Sequence, residues 1–129
     1  MAPSLPERFP LIIAEGLDVS VFASLAQAEG NYEPWISREP TVRGYDADGR
    51  RLKFEIEGGS TRRGFFAMPD AGQVRIRLAE DQPSGAGELR ELLTEFLRYF
   101  AERGHAVPRP LDTLPLADLI EAARPFARA

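Results

Sequence analysis

Apolar and polar residues alternate along several short segments of the chain, a pattern that indicates β-strands with one buried face. The segment 51–57 shows it most clearly, because an apolar residue occupies every second position from Leu52 to Ile56. Turns rich in Gly, Pro and Asp separate such segments and favour antiparallel neighbours. The pattern predicts strands at 17–22, 41–45, 51–57, 64–68 and 73–79, of which the last four form a meander.

The chain changes to a helical period near Glu88. From there apolar residues recur every three or four positions, as on the buried stripe of an amphipathic helix. The run ends at Arg103 and Gly104, a basic residue followed by a glycine that suits a helix C-terminus. We therefore expect an α+β fold, in which an antiparallel meander sheet of four to five strands has one face covered by this C-terminal amphipathic helix.

Prolines mark the two ends of this predicted domain. Pro3, Pro6 and Pro10 favour an irregular lead-in, and further prolines after Gly104 indicate a stiff connector. The terminal segment either packs on the same domain, extends from it, or exchanges between two copies. The predicted organisation is an N-terminal arm at 1–16, an α+β domain at 17–104, and a Pro-rich connector with a terminal helix at 105–129.

Composition and charge exclude several classes of protein. The chain has 129 residues, enough for one domain with its own core. Its 20 acidic and 16 basic residues leave a net charge of −4, which argues against a nucleic-acid-binding role. It contains no cysteine, so disulfides and thiolate chemistry are excluded. With neither a signal-peptide pattern nor a long apolar run, we expect a cytoplasmic protein without a membrane partner.

The residues with chemical potential do not form a recognisable catalytic motif. His105 is the only histidine and has no Ser or Asp beside it for a proton relay. The segment 46–49 resembles the start of a calcium loop, but its glycine falls too early and a strand pattern follows, so we interpret it as a turn. The sequence therefore predicts no cofactor and no metal. A small enzyme is the least favoured reading; it would act through Glu55, Glu57, Glu80, Asp81 or His105.

The outer face of the predicted meander carries charges of both signs. Residues on this face alternate with the apolar ones, so they are expected to point away from the core. Carboxylates and cations on neighbouring strands form cross-strand ion pairs and offer a surface to a protein partner. One aromatic of the pair Phe65 and Phe66 would meet the same face and serve as an anchor. The candidate partner-binding residues are Lys53, Glu55, Glu57, Phe65, Arg75 and Arg77.

Over about 17–103 the chain resembles a loose group of small bacterial α+β proteins, many of them uncharacterised. The resemblance rests on Glu33-Pro34-Trp35, on the hairpin sequence YDADGRRL at 45–52, and on the leucine-rich helix from near Glu88. Some members resemble immunity proteins, which bind a secreted toxin and block it inside the producing cell. The resemblance implies no particular site residues.

Three functions follow as expectations. The first is a non-catalytic protein-binding module, most concretely an immunity-type antidote that occludes a toxin domain. The alternative is an adaptor or secretion chaperone that works as a dimer, and a small enzyme ranks third. In each of the first two cases the partner is another protein, and the chain itself is a monomer or a homodimer.

Overall fold

The fold is α+β, with two antiparallel sheets and three α-helices in the part of the chain that is described. The computed structural model describes residues 4–34, 36, 39–58 and 72–128. None of the helices within these ranges combines the length and the apolar character that crossing a bilayer requires. The elements are β1 (Leu11–Glu15), β2 (Asp18–Phe22), α1 (Leu25–Gly30), β3 (Val42–Tyr45), β4 (Leu52–Glu57), β5 (Gln73–Leu78), α2 (Ala86–Glu102) and α3 (Leu116–Ala123).

The start of the chain contributes a central strand. We expected an irregular arm over 1–16, but β1 pairs with β2 on one side and with β3 on the other, in the order β2-β1-β3. Four consecutive residues, Leu11 to Ala14, are fully buried. A strand covered on both faces needs apolar residues at every position, so it shows no alternation. Pro6 and Pro10 lie before the strand and do not interrupt its pairing.

Each face of β1 is covered by a different layer. Ile12 and Ala14 belong to a core that they share with the leucines of α2 and with α3. Leu11 and Ile13 point the other way, into a core formed with α1 and with the apolar residues of β4 and β5. Helix α2 therefore packs on the three-stranded sheet, whereas we expected it over the apolar face of the meander. That face packs against β1 instead.

Within the described residues the strands form two sheets, of three and of two strands, where we expected one meander. Between β3 and β4 the only bridge within the described residues is Tyr45 with Arg51, beside the turn. Beyond it the described residues of the two strands form no further bridge, and the side chain of Leu52 lies against the backbone at Gly44, where a Cβ atom would come within 3.2 Å of it. The predicted strand at 64–68, with Phe65 and Phe66, lies outside the described residues.

The C-terminal segment packs on the domain through α3 and through a backbone contact. Leu119 and Ile120 of α3 are buried in the core of α2. Farther on, the backbone N–H of Arg128 donates to the carbonyl of Val19 at 3.0 Å, and its carbonyl accepts from the N–H of Val21 at 2.9 Å. The end of the described chain therefore lies along the outer edge of β2, as a short parallel addition to the sheet.

Candidate protein-binding surfaces

The pairing of β4 with β5 brings the predicted charged residues together on one face. Lys53 lies opposite Arg77, and Glu55 lies opposite Arg75. The ammonium of Lys53 is 3.2 Å from the Glu55 carboxylate, and the guanidinium of Arg75 is 3.0 Å from Glu57. We call these five residues the charged sheet face. The remaining predicted residue, Phe65, lies outside the described residues.

Helix α1 covers part of this face through Glu29, which the sequence analysis did not identify. One Glu29 carboxylate oxygen accepts from the Arg77 guanidinium at 2.9 Å and from the backbone N–H of Ile76 at 2.8 Å. The other oxygen lies 3.7 Å from Arg75. The side chains of Glu29 and Arg77 are only 13% and 18% exposed. Glu29 therefore accepts a hydrogen bond from a backbone N–H of β5 that β4 does not pair with. It also binds the two arginines that we expected to be free for a partner.

Replacing Glu29 with alanine is expected to lower the free energy of unfolding by about 1–2 kcal/mol, because the Ile76 N–H and the Arg77 guanidinium both lose their acceptor in a half-buried place. Glu29→Gln should cost less, since an amide oxygen still accepts from Ile76. Urea denaturation measures both values. Glu57→Ala serves as the control, because this exposed ion pair contributes little. An unchanged midpoint for Glu29→Ala contradicts the role that we assign to the carboxylate.

The turn at 46–49 is held by its first aspartate. The buried Asp46 carboxylate accepts from the backbone N–H groups of Asp48, at 2.9 Å, and Arg50, at 2.8 Å. Gly49 has a φ of 94°, the left-handed conformation expected of a glycine at this position. The interpretation of this segment as a turn is confirmed, and the oxygen atoms of Asp46 are engaged by the chain's own backbone and by Arg50.

Arg51 forms ion pairs with two carboxylates beside this turn. Its guanidinium donates to Glu88 and to Glu80, and the hydrogen bond from Arg51 lowers the pKa of Glu88. Burial raises the pKa of Tyr45, and the neighbouring Glu88 carboxylate raises it further. Burial also acts to raise the pKa of Glu80, but hydrogen bonds from Ser84 and from the Arg51 backbone outweigh it, so that this pKa is lowered. The ion pairs of Arg51 thus connect the beginning of β4 to the beginning of α2. Because the pKa of both Glu80 and Glu88 is lowered, both carboxyl groups are ionised.

A second surface, which the sequence analysis did not identify, is a groove between the β1–β2 turn, α2 and the C-terminal segment. Its volume is about 400 Å³, within the range of ligand and anchor-residue pockets. Most of its wall is apolar or aromatic. We call it the aromatic groove; it is lined by Gly16, Leu17, Asp18, Val19, Arg43, Leu92, Glu95, Phe96, Tyr99, Phe100, Phe126 and Arg128.

The helical period of α2 and the return of the C-terminal segment position the rings. Tyr99 and Phe100 follow Phe96 by three and four residues, so each lies beside Phe96 on the surface of the helix. The ring of Phe126 stacks on Phe100, with centroids 4.6 Å apart and planes 18° apart. His105, the only histidine, packs its ring edge-on against the same two phenylalanines. These contacts form a rigid aromatic wall.

Two large apolar side chains at the groove are exposed to solvent. Leu17 is 82% exposed and Tyr99 is 46% exposed. Leu17 follows Gly16, whose φ of 61° supports a two-residue turn between β1 and β2. Because the turn is so short, Leu17 projects from its tip and has no layer to pack against. The central carbon of the Arg103 guanidinium lies 3.5 Å from the centroid of the Tyr99 ring. The arginine therefore stacks on one face of this ring.

The charged residues of the groove are balanced between the two signs. Asp18 and Arg128 face each other at 3.9 Å, and both are well exposed. Arg43 on β3 and Glu95 on α2 also line the groove. Within the described ranges neither of these two makes an ion pair or a side-chain hydrogen bond. Arg43 is close enough to Glu88 to help lower the pKa of that carboxyl without forming an ion pair with it, so the groove presents one cation and one anion to a binding partner.

The aromatic groove escaped the sequence analysis because three distant segments build it. The helical period places Phe96 and Phe100 on the apolar stripe of the helix, and the alternation places Leu17 at the start of the predicted strand 17–22. The sequence signal for an exposed Leu17 was present, since a glycine before it favours a tight turn at 16–17.

Comparison with known proteins finds no relative of this chain: no family model, no curated protein and no solved structure matches it. No role for either surface is therefore transferred from another protein.

Proposed function

We propose that this protein is a non-catalytic protein-binding module and that the aromatic groove receives an apolar side chain of its partner. The observation that carries the proposal is the exposure of Leu17 and Tyr99 beside a groove of about 400 Å³. Exposed apolar patches mark interaction surfaces in globular proteins. Tyrosine and arginine, which meet here as Tyr99 and Arg103, dominate the binding energy of protein interfaces.

Charge favours a protein over a nucleic acid as the partner. The chain carries a net charge of −4, and the charges that line the groove are two acidic and two basic. A nucleic-acid-binding surface would instead be predominantly basic. The acidic net charge speeds the approach of a basic protein. A toxin domain, the partner of immunity proteins, is the partner class that we propose first.

The charged sheet face is a secondary surface in this proposal. Its arginines are engaged by Glu29, which leaves the exposed side chains of Lys53, Glu55 and Glu57 to contact a partner. Charges of this kind at the rim of an interface affect the association rate more than the affinity. We therefore expect substitutions there to change the salt dependence of binding and to leave most of the binding energy intact.

Affinity purification of three forms of the chain from its native host tests the proposal. The unchanged chain and Lys53→Glu should recover the same protein partner, and Leu17→Asp should lose it, because a carboxylate in the groove lining is then buried against the apolar side chain that the groove receives. Recovery of the chain without any partner contradicts protein binding. Loss with Lys53→Glu but not with Leu17→Asp assigns binding to the charged sheet face and contradicts the role of the groove.

A further inference from the structure

The charges that line the aromatic groove also suit a second copy of the same surface. Its charged residues comprise two cations and two anions, placed around an apolar centre. A surface dominated by one sign repels a copy of itself, whereas a surface with equal numbers of both signs can face its own copy with opposite charges in contact. A two-fold symmetric dimer requires this self-complementarity, because the same patch serves both partners.

We propose that, before a partner is captured, the aromatic groove is covered by the groove of a second copy of this chain, related by a two-fold axis. The proposal rests on the proposed function in one respect, that this groove is a protein-binding surface. Leu17 of each copy enters the groove of the other and packs on the wall formed by Phe96, Tyr99 and Phe100. The most exposed apolar side chain of the groove is thereby removed from water.

The charges identify which residues meet across the axis. Asp18 and Arg128 already lie near each other within one copy, at 3.9 Å. Arg43 and Glu95 have no ion-pair partner within the described ranges. In the symmetric pair, Arg43 of one copy faces Glu95 of the other, and this contact occurs twice. The balanced groove adds nothing to the repulsion that the net charge of −4 on each copy creates.

The groove by itself is smaller than a standard dimer interface, so the proposed dimer must also bury the flanking face of α2 and is expected to be reversible. A standard interface buries about 800 Å² on each partner, which is about a tenth of the 8185 Å² accessible surface of this chain. The aromatic groove and the flanking exposed face of α2 supply an apolar centre and a charged rim, the anatomy of such interfaces. We expect a weak dimer, because a tight one would compete with capture of the partner.

Sedimentation velocity of the full chain, from about 1 to 500 μM, measures the association. We expect a sedimentation coefficient that rises with concentration from monomer towards dimer. Leu17→Asp should raise the dissociation constant at least about tenfold, and Lys53→Glu, on the charged sheet face, should leave it unchanged. A chain that remains monomeric throughout, or a dimer that is insensitive to Leu17→Asp, overturns the proposal.

A mixing experiment tests the contact between Arg43 and Glu95. Alone, Arg43→Glu and Glu95→Arg should each dimerise at least about tenfold more weakly than the unchanged chain, because each places like charges across the axis. Mixed in equal amounts, they should form a heterodimer, since two carboxylates of one variant then face two guanidinium groups of the other. Both side chains are exposed, so both variants should fold, and circular dichroism checks this. A mixture no more dimeric than its components overturns the pairing.

The two proposals fail in different ways. A monomeric chain that still loses its host partner on Leu17→Asp contradicts the symmetric dimer and supports the groove as a capture surface. A dimer that depends on Leu17, but binds no other protein, supports the symmetric pair and contradicts capture. The first experiment needs only the purified chain, and the second needs the host extract.

Discussion

Replacing Ile13 with alanine is expected to lower the free energy of unfolding by about 2–5 kcal/mol, the range for a fully buried aliphatic side chain. Ile13 has no exposed surface and lies at the centre of β1, opposite Ser20 on one neighbour and Gly44 on the other. The lost methyl and methylene groups leave a cavity in the core between β1 and the β4–β5 sheet. Such a loss is a large part of the stability of a domain of this size.

Urea denaturation measures the effect, with Leu5→Ala as the matched control. Leu5 precedes the same strand and is 52% exposed, so its removal should change the free energy of unfolding by no more than about 0.5 kcal/mol. If residues 1–16 were an arm, Ile13→Ala would be as mild as Leu5→Ala. Equal midpoints for the two variants therefore contradict the central position of β1.

The regular part of the fold was predictable where one physical rule decides it. In β4 and β5 one face is buried and the other is charged, so alternation identified the strands and the residues that face the core. The helix α2 was equally clear, because its apolar residues repeat with the helical period. The turn at 46–49 followed from its Asp and Gly residues.

The arrangement of these elements was less predictable than the elements themselves. Nothing local distinguishes a meander that continues from β3 to β4 from one that divides there, since β3 pairs with β1, a strand distant from it in sequence. Strand β1 was missed because burial on both faces removes the alternation, and its four apolar residues are too few to identify a strand alone. Helix α2 packs on the sheet that contains β1, so its position could not be predicted without this strand.

The same distinction separates the two candidate surfaces. The residues of the charged sheet face were predicted from the alternation within each strand, but the predicted meander placed the strand 64–68 between 51–57 and 73–79, whereas β4 and β5 pair directly. The effect of Glu29 depends on a tertiary contact between α1 and β5, more than forty residues apart in sequence. The aromatic groove needs the β1–β2 turn, α2 and the C-terminal segment together. Segments so far apart in sequence meet only through tertiary packing.

Replacing Gly49 with alanine is expected to lower the free energy of unfolding by about 2–4 kcal/mol, from the strain of a side chain at positive φ and from overpacking. Gly49 has a φ of 94°, and a Cβ atom there would lie 2.4 Å from the Cα atom of Ala86. Ala86 is the first residue of α2. The β3–β4 turn and the start of this helix must therefore move apart, which also disturbs the contact of Arg51 with Glu88.

Gly16→Ala is the control that separates strain from contact. Gly16 also has a positive φ, of 61°, but a Cβ atom there would meet nothing within 4 Å. We expect Gly16→Ala to cost about 1–2 kcal/mol, which is the conformational penalty alone. The excess loss in Gly49→Ala, measured by thermal or urea denaturation, is then the energy of the close approach between the turn and α2. Equal losses in the two variants would mean that the turn is free to move away from the helix, and that the helix is positioned by its buried leucines alone.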